Sequence, residues 1–147
     1  MLKNMPKVMT PEIMKILMQM GHSDEVALVD AHYPGYSNVK RFYRAIGVNT
    51  PELLDAILHF FPLEPKLFAP HPAFMMAVVK GDSMDPKLDT EIDAIFRKHE
   101  PEYGGVEKLE RMKFVERTRS CFAIISTGET RKYSNVILTK GLAFPEI

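Results

Sequence analysis

The stretch Met20-Gly21-His22-Ser23-Asp24-Glu25-Val26-Ala27-Leu28-Val29-Asp30-Ala31-His32-Tyr33-Pro34 decides how the chain is organised. Its centre, Val26 to Val29, is an uninterrupted apolar run, which predicts a short strand covered on both faces of a sheet. A histidine and two acids precede this strand, and an acid and a second histidine follow it. Because ionisable groups gather at both ends of one buried element, we look for chemistry here first.

Helices and further strands are predicted on either side of this stretch. Thr10-Pro11, Thr50-Pro51 and Asp85-Pro86 each place a capping residue before a proline at the first helical position. Gly21 is expected to end the first helix as a left-handed cap. Strands are predicted at 39–46, 74–79, 108–114, 121–126 and 132–139, with a short helical turn at 115–120. This alternation indicates an α/β fold, a layered domain with a mostly buried mixed sheet and helices packed on it.

Length and composition bound the class of protein. The 147 residues suffice for one domain with a real core, so we expect 1–147 to be a single domain. The formal net charge is zero, which argues against nucleic acid or an anionic membrane surface as a partner. No apolar run approaches the roughly 18 residues of a membrane span, and the N-terminus does not resemble a signal peptide. Cys121 is the single cysteine, so no internal disulfide can form and a cytoplasmic location is expected.

His22 is the first candidate for chemistry. It follows the glycine that is predicted to end the first helix, so it should lie on a loop. Histidine titrates near neutral pH and can accept or donate a proton without a cofactor. The competing interpretation is a surface or capping histidine without a catalytic role.

Asp30 closes the buried strand, and ligands of α/β sheets collect at the carboxyl ends of strands. An acid that caps the following turn is an equally good interpretation. Asp30, His32 and His22 also match the residue types of a two-histidine, one-carboxylate metal site. However, no helix or hairpin spacing holds these three residues together, so we do not expect a metal.

The length of the strand constrains how His22 and Asp30 can act together. Five or six extended residues between them span roughly 20 Å, too far for one small-molecule pocket. Either the loop around His22 folds back, or a neighbouring subunit supplies one of the two residues. We therefore expect a pocket at a subunit interface.

Polar residues near the end of the chain are further candidates. Tyr133 and Asn135 lie two apart on the predicted closing strand, so they share one side and both can exchange hydrogen bonds with hydroxyls. Ser134 faces the other way, which leaves only its backbone. Arg111, within the predicted strand 108–114, offers a fork of donors for a diol or ring oxygen. The alternatives are a polar strand end in water and a solvated arginine with a buried stem.

Three ordered blocks of sequence carry a resemblance to a known family. The first joins Thr10-Pro11-Glu12 to 20–25 and 30–34, the second is Arg111 with 114–117, and the third joins 127–135 to 138–141. With these blocks the chain resembles the fucose mutarotase and ribose pyranase family from Leu2 almost to its end. The Asp-Ala-His-Tyr-Pro block and Arg111 favour the fucose branch, since ribose-type members carry histidine at the place of Arg111.

The sequence also departs from that pattern. Fucose-type members usually have tyrosine where Val115 stands and glycine where Ser134 stands, and the loop 62–72 is poorly matched. These departures bear on sugar preference more than on reaction type.

The resemblance implies interconversion of the α and β anomers of L-fucose, or a related monosaccharide, through acid/base-catalysed ring opening without a cofactor. By position, it makes His22 the acid/base residue. The sugar-binding residues that it implies are Asp30, Arg111, Tyr133, Ser134 and Asn135. It further implies a homo-oligomer, a decamer built from pentameric rings. A ribose pyranase and a sugar-binding protein without turnover are the alternatives.

Overall fold

A six-stranded sheet forms the centre of the fold, which a computed structural model describes for residues 1–144. The strands are β1 Glu25–Val29, β2 Phe42–Ala45, β3 Ala73–Met76, β4 Glu107–Leu109, β5 Ala123–Thr127 and β6 Val136–Thr139. The helices are α1 Pro11–Gln19, α2 Thr50–Leu58, α3 Pro86–His99 and α4 Arg111–Arg119, with one 3₁₀ turn at Tyr36–Asn38. Among the residues described, no helix is both long and apolar enough to cross a membrane.

The order of the strands in the sheet is β2-β5-β1-β6-β3-β4. Strand β6 is antiparallel to both of its neighbours, β1 and β3, whereas the pairs β1–β5, β2–β5 and β3–β4 are parallel. All strands but β6 therefore run in one direction. This arrangement confirms the predicted α/β fold with a mixed sheet.

Helices cover both faces of the sheet, as the apolar run of β1 predicts. Val26 and Leu28 pack into a core with α1, α2 and α3, while Ala27 and Val29 face α4. All four side chains have no exposed surface. The alternation follows from the two-residue period of a strand, which sends successive side chains to opposite faces.

Helix starts agree with the sequence in two cases and differ in one. Thr10 Oγ1 accepts from the Ile13 backbone N–H at 3.2 Å, and Asp85 Oδ1 accepts from that of Lys87 at 3.0 Å. At α2 the cap is Asn49, so the prediction of Thr50 was wrong by one residue. The left-handed cap predicted at Gly21 was also wrong, because α1 ends at Gln19 and Gly21 has no positive φ.

Two differences between the predicted and the observed strands matter for the site. The strand predicted at 108–114 ends at Leu109, since the Glu110 side chain accepts from the Met112 and Lys113 backbone N–H groups and starts α4 there. The closing strand begins at Val136 rather than 132, because Tyr133 has a φ of 67° and interrupts the extended backbone. Arg111 is therefore the first residue of a helix, and Tyr133 lies in a loop.

Candidate functional site

The carboxyl edge of the sheet holds a cleft of about 380 Å³. Strands β1, β3 and β4 end at this edge, and the antiparallel β6 begins there. The topology thus brings together segments that are distant in sequence, as expected for ligand sites in open α/β sheets. The cleft is lined by Asp30, His32, Tyr33, Pro34, Met76, Val79, Arg111, Val115, Lys132, Tyr133 and Asn135.

Asp30 and Asn135 form one hydrogen-bonded unit in this cleft. The Asp30 backbone N–H donates to Asn135 Oδ1 at 2.9 Å, and the His32 backbone N–H donates to Asp30 Oδ1 at 3.0 Å. Both side chains belong to residues that are only 4% exposed. Burial raises the pKa of Asp30 above its ordinary value, although hydrogen bonding of its carboxylate to the His32 backbone and to the Asn135 side chain acts in the opposite direction. The Asp30 carboxylate and the Asn135 amide are placed to hold hydroxyl groups.

Tyr133 reaches the cleft from a left-handed backbone position, which is uncommon for a bulky residue. Its hydroxyl donates to Asp82 Oδ2 at 2.6 Å, on the turn after β3, and Lys132 pairs with the other oxygen of Asp82. Hydrogen bonds from Lys132, Tyr133 and the Ser83 backbone lower the pKa of Asp82 to about 2. The bond to Asp82 also raises the pKa of Tyr133 above its ordinary value. The phenol therefore keeps its proton and offers a ring and a hydroxyl oxygen.

Arg111 stands at the first position of α4, exposed at the mouth of the cleft. Within the part of the chain that is described, its guanidinium forms no ion pair, and its contact is with the Met112 sulfur at 3.7 Å. Its donors are thus available to a ligand oxygen. Met76, Val79 and Val115 contribute apolar surface to the lining of the same cleft.

Ser134 does not line the cleft. It is fully buried, and its carbonyl accepts from Thr50 Oγ1 at 3.1 Å, which ties the loop before β6 to α2. Its hydroxyl has no hydrogen-bond partner among residues 1–144. The sugar contact implied by its position in the family pattern stays a prediction.

His22 lies at the other edge of the sheet, before β1, beside Glu64 and Phe68. Its Nε2 is 2.8 Å from Glu64 Oε1, and its ring meets that of Phe68 edge-on at 5.4 Å between centroids. The loop does not fold back towards Asp30, because the Ser23 N–H donates to the Lys140 carbonyl at 2.8 Å and continues the ladder beyond β6. Within one chain, β1 therefore holds His22 and Asp30 apart.

The same separation bears on the metal alternative. Asp30 and His32 lie at the carboxyl edge and His22 at the amino edge, so one chain does not bring these three side chains together. In the described range, no group of three or more histidine, cysteine and acidic side chains is arranged to hold a metal ion.

Glu64 and Asp82 contact candidate residues and were not predicted from the sequence. Glu64 lies in the proline-rich loop 62–72, and Asp82 lies in the loop between β3 and α3. A single acid between Leu63 and Pro65 in a mostly apolar segment was the available signal for Glu64. Nothing in the local sequence joins Asp82 to Tyr133, because that contact depends on the neighbouring β3 and β6.

Comparisons with known proteins agree with the resemblance. The RbsD / FucU transport protein family matches residues 3–143. The L-fucose mutarotase of Actinobacillus pleuropneumoniae serotype 5b (strain L20) is 37% identical over 142 residues, which cover 97% of this chain and 97% of that protein.

Solved structures give the same result. The fucose mutarotase of Streptococcus pneumoniae, in complex with L-fucose, superposes with a TM-score of 0.91 at 40% identity, over 97% of this chain and 100% of that one. FucU from Bifidobacterium longum superposes with a TM-score of 0.88 at 33% identity, over 95% of this chain and 99% of that one.

Proposed function

Because the chain belongs to the RbsD / FucU transport protein family, we propose that it is an isomerase that interconverts the α and β anomers of L-fucose or a closely related monosaccharide. One observation carries this proposal. The cleft at the carboxyl edge gathers Asp30, Arg111, Tyr133 and Asn135, the polar side chains that the sequence pattern assigns to sugar binding. A fucose mutarotase with 40% identity to the chain has the same fold.

The reaction suits these residue types. Mutarotation removes a proton from the anomeric hydroxyl and delivers one to the ring oxygen, after which the opened sugar recloses on either face. A neutral imidazole can take the first proton and return it, and positioned acid/base catalysis contributes about 10² to 10⁴ in rate. We assign this role to His22. Asp30 and Asn135 hold sugar hydroxyls, while Arg111 donates to a sugar oxygen; no cofactor is required.

The separation of His22 from the cleft within one chain supports a site shared between subunits. We propose that His22 of one subunit completes the cleft of another, within a decamer of two pentameric rings. Large apolar side chains are exposed near both parts of the site, which supports burial against other copies. They include Met18 at 78%, Phe68 at 58% and Leu142 at 45% near His22, and Met112 at 57% and Val79 at 44% near the cleft.

Saturation-transfer NMR on L-fucose tests the function directly. We expect the protein to speed exchange between the α and β anomer signals, and His22→Ala to abolish most of that gain while the sugar still binds. An exchange rate equal to the uncatalysed rate, together with measurable binding, would instead identify a sugar-binding protein without turnover.

A panel of L-fucose, D-ribose and D-galactose in the same assay separates the branches of the family. Faster exchange between pyranose and furanose forms of ribose than between fucose anomers would favour the ribose pyranase alternative. Val115, which stands where fucose-type members usually have tyrosine and which lines the cleft, makes this comparison informative.

The cytoplasmic location expected from the sequence stays a prediction.

A further inference from the structure

The carboxylate of Asp82 joins two residues that line the cleft. Its Oδ2 accepts from the Tyr133 hydroxyl at 2.6 Å, and its Oδ1 accepts from Lys132 Nζ and from the Ser83 backbone N–H, the latter at 2.8 Å. Lys132 and Tyr133 belong to the lining of the cleft, whereas Asp82 is not among the lining residues. Asp82 therefore reaches the cleft through these two partners.

The turn after β3 presents two groups to the Tyr133 hydroxyl. The Asp82 N–H donates to the Val79 carbonyl at 2.9 Å and closes a turn in which Gly81 has a φ of 89°, a conformation that suits glycine. The Val79 N–H donates to the Tyr133 oxygen at 3.4 Å, while the Asp82 carboxylate accepts from the same hydroxyl. One closed turn thus holds the phenol from two sides.

The backbone of Tyr133 needs this support. Its φ of 67° is costly for a bulky residue and persists only where the surroundings impose it. The two residues before it are also tied to the segment after β3, since Arg131 Nη1 donates to Glu91 Oε2 on α3 at 3.1 Å and Lys132 pairs with Asp82. Asp82 supplies the contact with the side chain that lines the cleft.

We propose that Asp82 is a positioning residue for sugar binding: it holds the Tyr133 side chain at the cleft and fixes its hydroxyl as a hydrogen-bond acceptor for the sugar. This inference rests on the proposed function, in which Tyr133 contacts the sugar. A phenol has one proton to donate. Since that proton is directed at Asp82, the Tyr133 oxygen is left to accept from a sugar hydroxyl.

The ionisation of both groups agrees with this arrangement. Hydrogen bonds from Lys132, Tyr133 and Ser83 lower the pKa of Asp82 to about 2, so the carboxylate stays charged and accepts throughout the neutral range. The bond to Asp82 raises the pKa of Tyr133, so the phenol keeps the proton that it donates.

The substitution Asp82→Ala tests the role in the whole protein. We expect KM for anomer exchange and Kd for L-fucose to rise about tenfold, a factor within the range of coupling in one hydrogen-bond network, with kcat within about twofold.

Asp93→Ala is the matched control. On α3, Asp93 accepts from the Tyr103 hydroxyl and from Arg97 Nε, the latter at 2.8 Å, so it has the same kinds of partner as Asp82. None of these three residues lines the cleft, so the loss of Asp93 should leave KM within about twofold. Equal rises of KM in the two variants would overturn the proposal.

A double-mutant cycle separates a role through Tyr133 from an independent one. If Asp82 acts through the Tyr133 hydroxyl, Asp82→Ala should raise KM no further once Tyr133→Phe has removed that hydroxyl. Rises of KM that multiply in the double variant would show that Asp82 acts independently of Tyr133, which would also overturn the proposal.

The ionisation of Tyr133 gives a measurement that needs no change at Asp82. In ¹³Cζ NMR of the tyrosines, assigned with Tyr133→Phe, the wild type should show a Tyr133 pKa above the ordinary 10.0, and Asp82→Ala should lower it. A wild-type pKa at or below 10.0 would overturn the proposal even if Asp82→Ala failed to fold. If the wild type showed no catalysed exchange, the proposed function would fail, whereas the affinity for L-fucose and the ionisation of Tyr133 would still test Asp82.

Discussion

The backbone N–H of Asp30 donates to the side-chain oxygen of Asn135 at 2.9 Å, and this bond joins the end of β1 to the start of β6. The two residues are 105 positions apart in the chain, and they meet because β6 runs against β1. Two candidate sugar-binding groups therefore form one unit whose geometry is set before any ligand arrives.

Asn135→Ala should damage both stability and sugar binding. It leaves a buried backbone N–H without its partner, which costs about 1–3 kcal/mol in the free energy of unfolding. Urea denaturation measures the stability, and titration followed by NMR measures the affinity. Asn38→Ala, which removes two surface hydrogen bonds, one to the Pro34 carbonyl and one from Arg119 Nε, is the control and should cost less than about 1 kcal/mol. An equal cost for both variants would contradict the role of Asn135.

Asp30→Asn should separate stability from function. Burial raises the pKa of Asp30, so the folded state binds the proton more tightly than the unfolded chain does. The stability that this proton contributes is present at low pH and is lost as pH rises from the ordinary pKa of 3.8 through the folded pKa. At neutral pH the variant, which carries no charge to bury, should therefore melt at a higher temperature than the wild type. Below about pH 3.8 the difference should vanish.

The same variant should bind sugar at least about tenfold more weakly, because a hydrogen bond to a charged group is worth about 1.5–3 kcal/mol. Thermal unfolding at two pH values and an NMR titration measure the two effects. A variant that is less stable than the wild type at both pH values would show that the Asp30 charge supports the fold.

Arg111→Ala should weaken sugar binding without destabilising the fold. The guanidinium is exposed and, among residues 1–144, has no ion pair to lose, so the free energy of unfolding should change by less than about 0.5 kcal/mol. We expect KM for anomer exchange to rise roughly 10-fold. Lys113→Ala on the same helix, exposed and outside the cleft lining, is the control and should leave KM unchanged. A KM that rises equally in both variants would point to a general effect of positive charge.

Co-refolding of His22→Ala and Asp30→Ala chains tests whether the site is shared between subunits. Each variant alone should be inactive in anomer exchange. If one chain supplies His22 and another supplies Asp30, random mixing at equal amounts restores roughly a quarter of the sites. Native mass spectrometry with one variant labelled with ¹⁵N would verify that mixed oligomers form. Mixed oligomers without recovered exchange would show that both residues act from the same chain.

Patterns that are local in sequence predicted much of the fold. The apolar run before Asp30 indicated β1, and Thr10 and Asp85 marked two helix starts because a capping side chain needs only its own next few residues. The site was predicted less well. Both Arg111 and Tyr133 were predicted to lie in strands. Arg111 instead begins α4, because Glu110 caps that helix, and Tyr133 lies in a loop, because its backbone is left-handed.

The remaining differences arise from contacts between distant segments. The Asp82–Tyr133 and His22–Glu64 pairs join residues that are 51 and 42 positions apart, so neither has a local signal. The separation of His22 from Asp30 was nevertheless predictable, since it depends only on the length of an extended strand.

Strand β6 links the two edges of the sheet, because Asn135 precedes it and Lys140 and Gly141 follow it. All four of its residues pair with β1 on one side, and three of them, Val136 to Leu138, pair with β3 on the other. A slip of one residue in this pairing would separate Asn135 from Asp30 and, at the same time, displace Gly141 from Leu63. An insertion or deletion within β6 is therefore expected to impair sugar binding and proton transfer together, and neither could be repaired by a substitution at the other edge.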